Sequence, residues 1–220
     1  MPLTLHTQSL PGPHGGARLL VGATGASPQA ALILLHGRGA SAEDIASIVP
    51  ALGVDGFHTI APDATGSTWY PQSFLAPGDA NRAGVDSAHA LIESLIAQCA
   101  AQGVPPERVA LLGFSQGACL TCDHGLRFPR RYGALIAFTG GVIGPLGSRF
   151  EPTGDLAGTP VFLGANDPDP HVPWSRVEET AGLFRTMGAN VDLRRYPLRP
   201  HAVLPEEIEA ARSLLRSLTQ

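Results

Sequence analysis

Ser115 stands between two glycines in Gly113-Phe114-Ser115-Gln116-Gly117, where the apolar run Val109-Ala110-Leu111-Leu112 hands over to Ala118-Cys119-Leu120-Thr121-Cys122. A G-x-S-x-G step from strand to helix forces a sharp turn. Only small flanking residues let the backbone pass closely there, and the serine hydroxyl is pushed out at the end of the strand. The free N–H groups of the following helix then point at the same spot. The N–H of Gln116, next after the serine, is a natural donor for an oxyanion. A hydroxyl is a poor nucleophile by itself and needs a base within reach and a group that orients the base.

Both are found downstream, in the order Ser, Asp, His. His201 lies in the Pro-rich segment Tyr196-Pro197-Leu198-Arg199-Pro200-His201, and no other histidine follows it. The acid belongs to Asn166-Asp167-Pro168-Asp169-Pro170-His171-Val172-Pro173. Two aspartates compete there. Each precedes a proline and is biased away from the α region, so local stiffness does not choose between them.

These residues need elements that bring them to one edge. Apolar runs at 31–35, 57–61, 109–114, 134–139, 161–165 and 191–196 read as strands, and helical segments are expected at 41–52, 82–102, 115–128, 174–187 and 205–218. Such alternation is the signature of a parallel sheet covered by helices on both faces. Its loops at the strand carboxyl ends are where ligands bind. The segments 3–10 and 17–21 are expected to form an N-terminal hairpin around Pro11-Gly12-Pro13-His14-Gly15-Gly16. No linker or compositional shift divides the 220 residues, so a single domain over 1–220 is expected.

Composition removes several alternatives. All fifteen basic residues are arginine, which excludes Schiff-base, pyridoxal-anchoring and phosphate-loop lysines. A net charge of −4 offers no concentrated basic face for nucleic acid. Three cysteines make no disulfide framework, and Cys119 and Cys122 read as small core residues on one helix face. No signal segment or membrane span is evident, so a cytoplasmic location is expected. Neither a metal nor another cofactor is expected, because the remaining histidines show no ligand spacing.

The set Leu34-Leu35-His36-Gly37-Arg38-Gly39, Gly113 to Gly117, Asp169-Pro170-His171-Val172-Pro173 and Tyr196 to His201 resembles the phospholipase/carboxylesterase family of small α/β-hydrolases. The likeness runs from about Ala31 to Leu218. It implies an α/β-hydrolase fold, with a mostly parallel central sheet, flanking helices and no separate cap domain. It also implies a Ser115, Asp169, His201 triad acting on small carboxylic esters, with thioesters or lysophospholipids as variants and a non-catalytic binding protein as the alternative of another class. By the same resemblance the N–H of Arg38 is the second oxyanion donor beside that of Gln116. The family more often has a small or apolar residue at position 38, and glycine where this chain has Pro200. The Arg38 side chain is expected either as a solvated rim charge or as an attractor of acidic or highly polar substrates.

The long aromatic loop after Pro62 supplies Trp69, Tyr70, Phe74 and Leu75 as expected pocket walls, faced by Val142 and Ile143, with His171 near enough to touch substrate. His36 is expected to shape its turn, and Asp44 and Asp63 to cap or turn the chain. A homodimer is compatible with the sequence.

Overall fold

The computed structural model describes residues 10–23 and 28–219. A seven-stranded sheet forms its middle: β1 (Leu19–Ala23), β2 (Ala30–Leu35), β3 (Phe57–Pro62), β4 (Val109–Phe114), β5 (Ala134–Phe138), β6 (Pro160–Asp167) and β7 (Asn190–Pro197). The spatial order is β1-β3-β2-β4-β5-β6-β7; β1 runs antiparallel to β3, and every other pair is parallel.

β2 reads Ala-Ala-Leu-Ile-Leu-Leu and is buried along its whole length. A strand covered on both faces needs no polar alternation. Its residues still divide by side. Ile33 and Leu35 join Leu111, Leu95 and Phe184 in one apolar cluster, whereas Leu32 and Leu34 join Leu112, Ile136, Phe162 and Leu215 in the other. Full burial of each such side chain is worth roughly 1.5–3 kcal/mol. The first face is roofed by α3 (Gly78–Ala101), α4 (Gln116–Arg127) and α5 (Trp174–Thr186). The second carries α1 (Ala42–Ala46), α2 (Val49–Leu52) and α6 (Pro205–Arg216). Among the described residues no separate cap covers the carboxyl edge, and no helix is long and apolar enough to cross a membrane.

Residues 3–9 of the expected hairpin's first arm lie outside the described residues; its second arm overlaps β1, which pairs with β3 from Leu19 opposite Pro62 to Ala23 opposite His58. Residues 11–16 form turns, as the Pro/Gly signal there predicts, with Gly15 N–H on Gly12 O and Ala17 N–H on His14 O. The helix expected over 41–52 is broken into α1 and α2, since Pro50 has no N–H to give to Ala46. A capping box between Ser41 and Asp44 starts α1, and Asp63 accepts from Ala42 N–H, so both acids do end the chain's turns. Finally, α3 begins four residues early, right after the extended Pro77, with Asp79 in its first turn.

Two buried charged residues hold segments that reach the carboxyl edge. Arg176, fully buried on α5, donates to the carbonyls of Val142, Gly144 and Pro145 and lies 2.9 Å from Glu179. Gly144 N–H in turn bonds Phe74 O at 2.8 Å. Arg176→Met leaves those carbonyls unpaired and should cost about 3 kcal/mol in a urea titration. Glu207, on the first turn of α6, accepts from Leu204 N–H at 2.9 Å, and its other oxygen is buried without a partner. Burial pushes its carboxyl up to about 7. The folded state therefore keeps a proton that the unfolded chain releases near pH ~4.3. The stability linked to this group is fully present below that pH and is lost as pH rises to about 7, on the order of 3 kcal/mol. Urea midpoints of the wild type should fall between about pH 5 and about pH 8, and Glu207→Gln should flatten that slope.

Candidate active site

β4 ends at Phe114, and Ser115 follows at φ 53°, ψ −112°, a left-handed position unusual for a residue with a side chain. The flanking glycines make the turn possible. A Cβ on Gly113 would sit 2.2 Å from Gly117 O, and one on Gly117 would sit 2.0 Å from Leu35 O. Thus the elbow is wedged against β2. Ser115 N–H bonds Phe138 O at 3.0 Å and its carbonyl accepts from Cys119 N–H at 2.9 Å, tying the turn to β5 and to α4.

The structure brings the three distant side chains into one line. His201 Nε2 is 2.9 Å from Ser115 Oγ, and His201 Nδ1 is 2.7 Å from Asp169 Oδ2. The other carboxylate oxygen of Asp169 accepts from the N–H groups of His171 and Val172, both at 2.9 Å. Burial raises this carboxyl, but the His201 bond and the two backbone N–H groups outweigh it and hold the carboxyl below the usual aspartate range. Asp167 faces elsewhere: its carboxylate pairs with Arg195 on β7, 2.6 Å from Nε. Asp167 is the last residue of β6, opposite Pro197 of β7, and of the two carboxylates it is that of Asp169, beyond the strand, that meets His201.

The His201 loop is held from below. Leu198 N–H bonds Asp167 O at 3.0 Å, and Asn166 Nδ2 donates to Pro200 O at 2.5 Å. Phe114 and His171 flank the imidazole, with ring centroids 5.1 and 5.0 Å away.

A cleft of about 530 Å³ opens over Ser115. Of the expected walls, Tyr70, Phe74 and His171 line it, together with Phe114, Cys119 and Val172. Trp69, Leu75, Val142 and Ile143 do not. Trp69 is fully buried beneath the loop: its indole N–H bonds His36 O at 2.9 Å, and its ring packs 5.1 Å from His36. Leu75 packs against the core, and Val142 and Ile143 are buried in the same cluster. Trp69 is thus sequestered beneath the loop, while Tyr70, also buried, lies at the inner end of the cleft. Cys119 lines the cleft as a protonated thiol, pushed up to about 12 by burial.

Both residues named as backbone donors grip this loop with their side chains. Gln116 Oε1 accepts from Trp69 N–H at 2.9 Å and its amide donates to Tyr70 O at 2.8 Å. Arg38 is exposed at the rim of the cleft, but its guanidinium is tied down rather than free. It donates to Thr68 Oγ1 and to the carbonyls of Tyr70, Pro71 and Gln72, at 2.7 to 3.0 Å. Nothing in the local sequence around Arg38 signals acceptors 30 to 34 residues away. His36 shapes the turn as expected, donating from Nδ1 to Gly37 O at 2.7 Å while Nε2 accepts from Ala64 N–H at 3.0 Å. Sequence reasoning missed His14, buried 5.3 Å from Trp69, which accepts from Thr65 N–H and donates to Trp69 O.

With this geometry in view, the likeness to known proteins can be placed. The family model for phospholipase/carboxylesterase proteins matches residues 18–219. A structure of a phospholipase/carboxylesterase from Dyadobacter fermentans superposes with a TM-score of 0.86 at 40% identity, covering 93% of this chain and 97% of that one. Acyl-protein thioesterase 1 of Eremothecium gossypii is 31% identical over 151 residues, 66% of this chain and 63% of the relative. The same-named protein of Gibberella zeae is 30% identical over 137 residues, 60% and 57% respectively. The chain thus spans less than two thirds of the length of these curated relatives. Since the family match runs nearly end to end and includes every segment that frames the cleft, the chain belongs to the phospholipase/carboxylesterase family.

Proposed function

We propose that this protein is a serine hydrolase that cleaves small or short-chain carboxylic esters through an acyl-enzyme, with Ser115, His201 and Asp169 as its triad. The observation that carries the reading is the unbroken hydrogen-bonded line from the Ser115 hydroxyl through both nitrogens of His201 to Asp169. In this reading the hydroxyl attacks the ester carbonyl while His201 Nε2 takes its proton. Asp169 holds Nδ1–H in place and stabilises the imidazolium. The oxyanion of the tetrahedral intermediate is received by the N–H groups of Arg38 and Gln116, neither of which has a backbone acceptor among the described residues. The imidazolium then protonates the departing alcohol, and water repeats the sequence on the acyl-enzyme.

Substrate size follows from the cleft. It lies open at the edge of the sheet, and its buried inner residues, Tyr70 and Cys119, join hydroxyl to thiol. Thioesters are the second substrate class, because relatives aligned with this chain are named acyl-protein thioesterases.

Short-chain aryl esters and a fluorophosphonate label provide the test. Wild type should turn over the esters and be labelled, while Ser115→Ala should lose both with unchanged circular dichroism and urea midpoint. Asp169→Asn should lose on the order of 10⁴ in kcat by the precedent of triad aspartates. Asp167→Asn should stay near wild type, as its carboxylate serves Arg195. A folded wild type that neither turns over esters nor takes the label rules out the reading, and a collapse at position 167 rather than 169 rules out the assigned acid.

A further inference from the structure

Arg38 sits in the wall of the cleft with its charge uncompensated. All of its hydrogen-bond acceptors are neutral: one hydroxyl and three carbonyls. Among the described residues it makes no salt bridge, whereas Arg195 and Arg199, on and just after β7, pair with Asp167 and Glu206. None of the residues that line the cleft is Asp or Glu, and Arg38 is the one among them with a permanent charge. The nearby carboxylate of Asp169 is fully buried behind His201 and already accepts three N–H groups.

Two bonds from each terminal nitrogen use all four of the terminal N–H groups. The guanidinium therefore has no fork left with which to clasp a carboxylate. It acts as a fixed point charge at the exposed rim of the cleft, held in place by the loop and 5.9 Å from the centre of the Tyr70 ring. A guanidinium cannot discharge by losing its proton, so this field persists at every working pH.

We propose that Arg38 is a specificity-determining residue that selects esters carrying an anionic group, a carboxylate or phosphate on the arm that lies along residues 68–72. The proposal rests on the hydrolase reading above, with the cation setting which esters that site prefers. A cationic ester is disfavoured by the same field.

Two matched pairs of aryl esters test it, at pH ~8, where unperturbed imidazoles are neutral. One pair places the charge on the acyl arm: a mono-aryl succinate against its methyl ester. The other places it on the leaving group: the butyrate ester of 4-hydroxybenzoate against that of methyl 4-hydroxybenzoate. In at least one pair the anion should have the higher kcat/KM at low salt, by on the order of threefold to tenfold. The advantage should fade at about 1 M NaCl, where the Debye length is ~3 Å. Arg38→Gln loosens the loop and lowers the rate on both members, so the reading is their ratio, which should drop to about one. Ratios at or below one in both pairs for wild type, or a ratio that survives Arg38→Gln, overturn the proposal while leaving the esterase intact. If none of the four esters is cleaved, the hydrolase reading fails instead. The charge is then read from glutarate binding to Ser115→Ala by calorimetry. That affinity should fall with salt and with an added Arg38→Gln change, and equal affinity in both variants overturns the proposal.

Discussion

A serine held in the left-handed region is the constraint that the rest of this molecule is arranged to satisfy. Such a backbone costs a residue with a side chain about 1–3 kcal/mol and persists only when its surroundings over-determine it. Here they do. β2 lies so close beneath the elbow that position 117 admits no Cβ, the start of α4 crowds position 113 in the same way, and β5 receives the serine N–H. The apolar clusters on the two faces of the sheet fix β2, β4 and β5 relative to one another, so the strain is carried by the whole core rather than by the turn. What the sheet gains for the site is a hydroxyl whose direction does not depend on any ligand.

The opposite wall of the cleft is built differently. The segment from Thr68 to Gln72 has no sheet partner and is held by side chains that come from the turn after β2 and from the first residue of α4. Below it, Trp69 is clasped between two buried imidazoles, His14 and His36. Burial lowers the pKa of each, which keeps both rings neutral, with one nitrogen donating and the other accepting. A sheet edge thus gives one half of the site its rigidity, and a polar lattice gives the other half the same property.

How far the sequence reveals this arrangement depends on how local each cause is. The continuous apolar runs of β2 and β4 follow from burial on both faces, and the glycines around Ser115 follow from steric demands within five residues. These were legible. The break between α1 and α2 is legible too, once Pro50 is weighed against the periodicity around it. By contrast, the loop after β3 shows that aromatic residues line something, but not which of them reach the cleft. Trp69 and Tyr70 are adjacent and equally apolar, and only the bond from the indole to His36 O decides between them. Likewise the partners of Arg38 and His14 lie 30 to 34 and 51 to 73 residues away, at separations where composition and spacing carry no information. Asp167 and Asp169 are a mixed case: their identical settings before proline leave the choice open, and only the tertiary contacts, Asp169 with His201 and Asp167 with Arg195, separate the two.

The carbonyl of Tyr70 receives both the Arg38 guanidinium and the Gln116 amide. If the proposed function holds, one oxygen atom thereby fastens the wall that would touch a substrate to the two turns that would stabilise its transition state. Selectivity and speed are consequently not independent dials in this scaffold. Grafting a relative's loop to admit a bulkier acyl group would also slacken the machinery that reacts with it, and a redesign would have to carry positions 38, 68–72 and 116 together as one cassette.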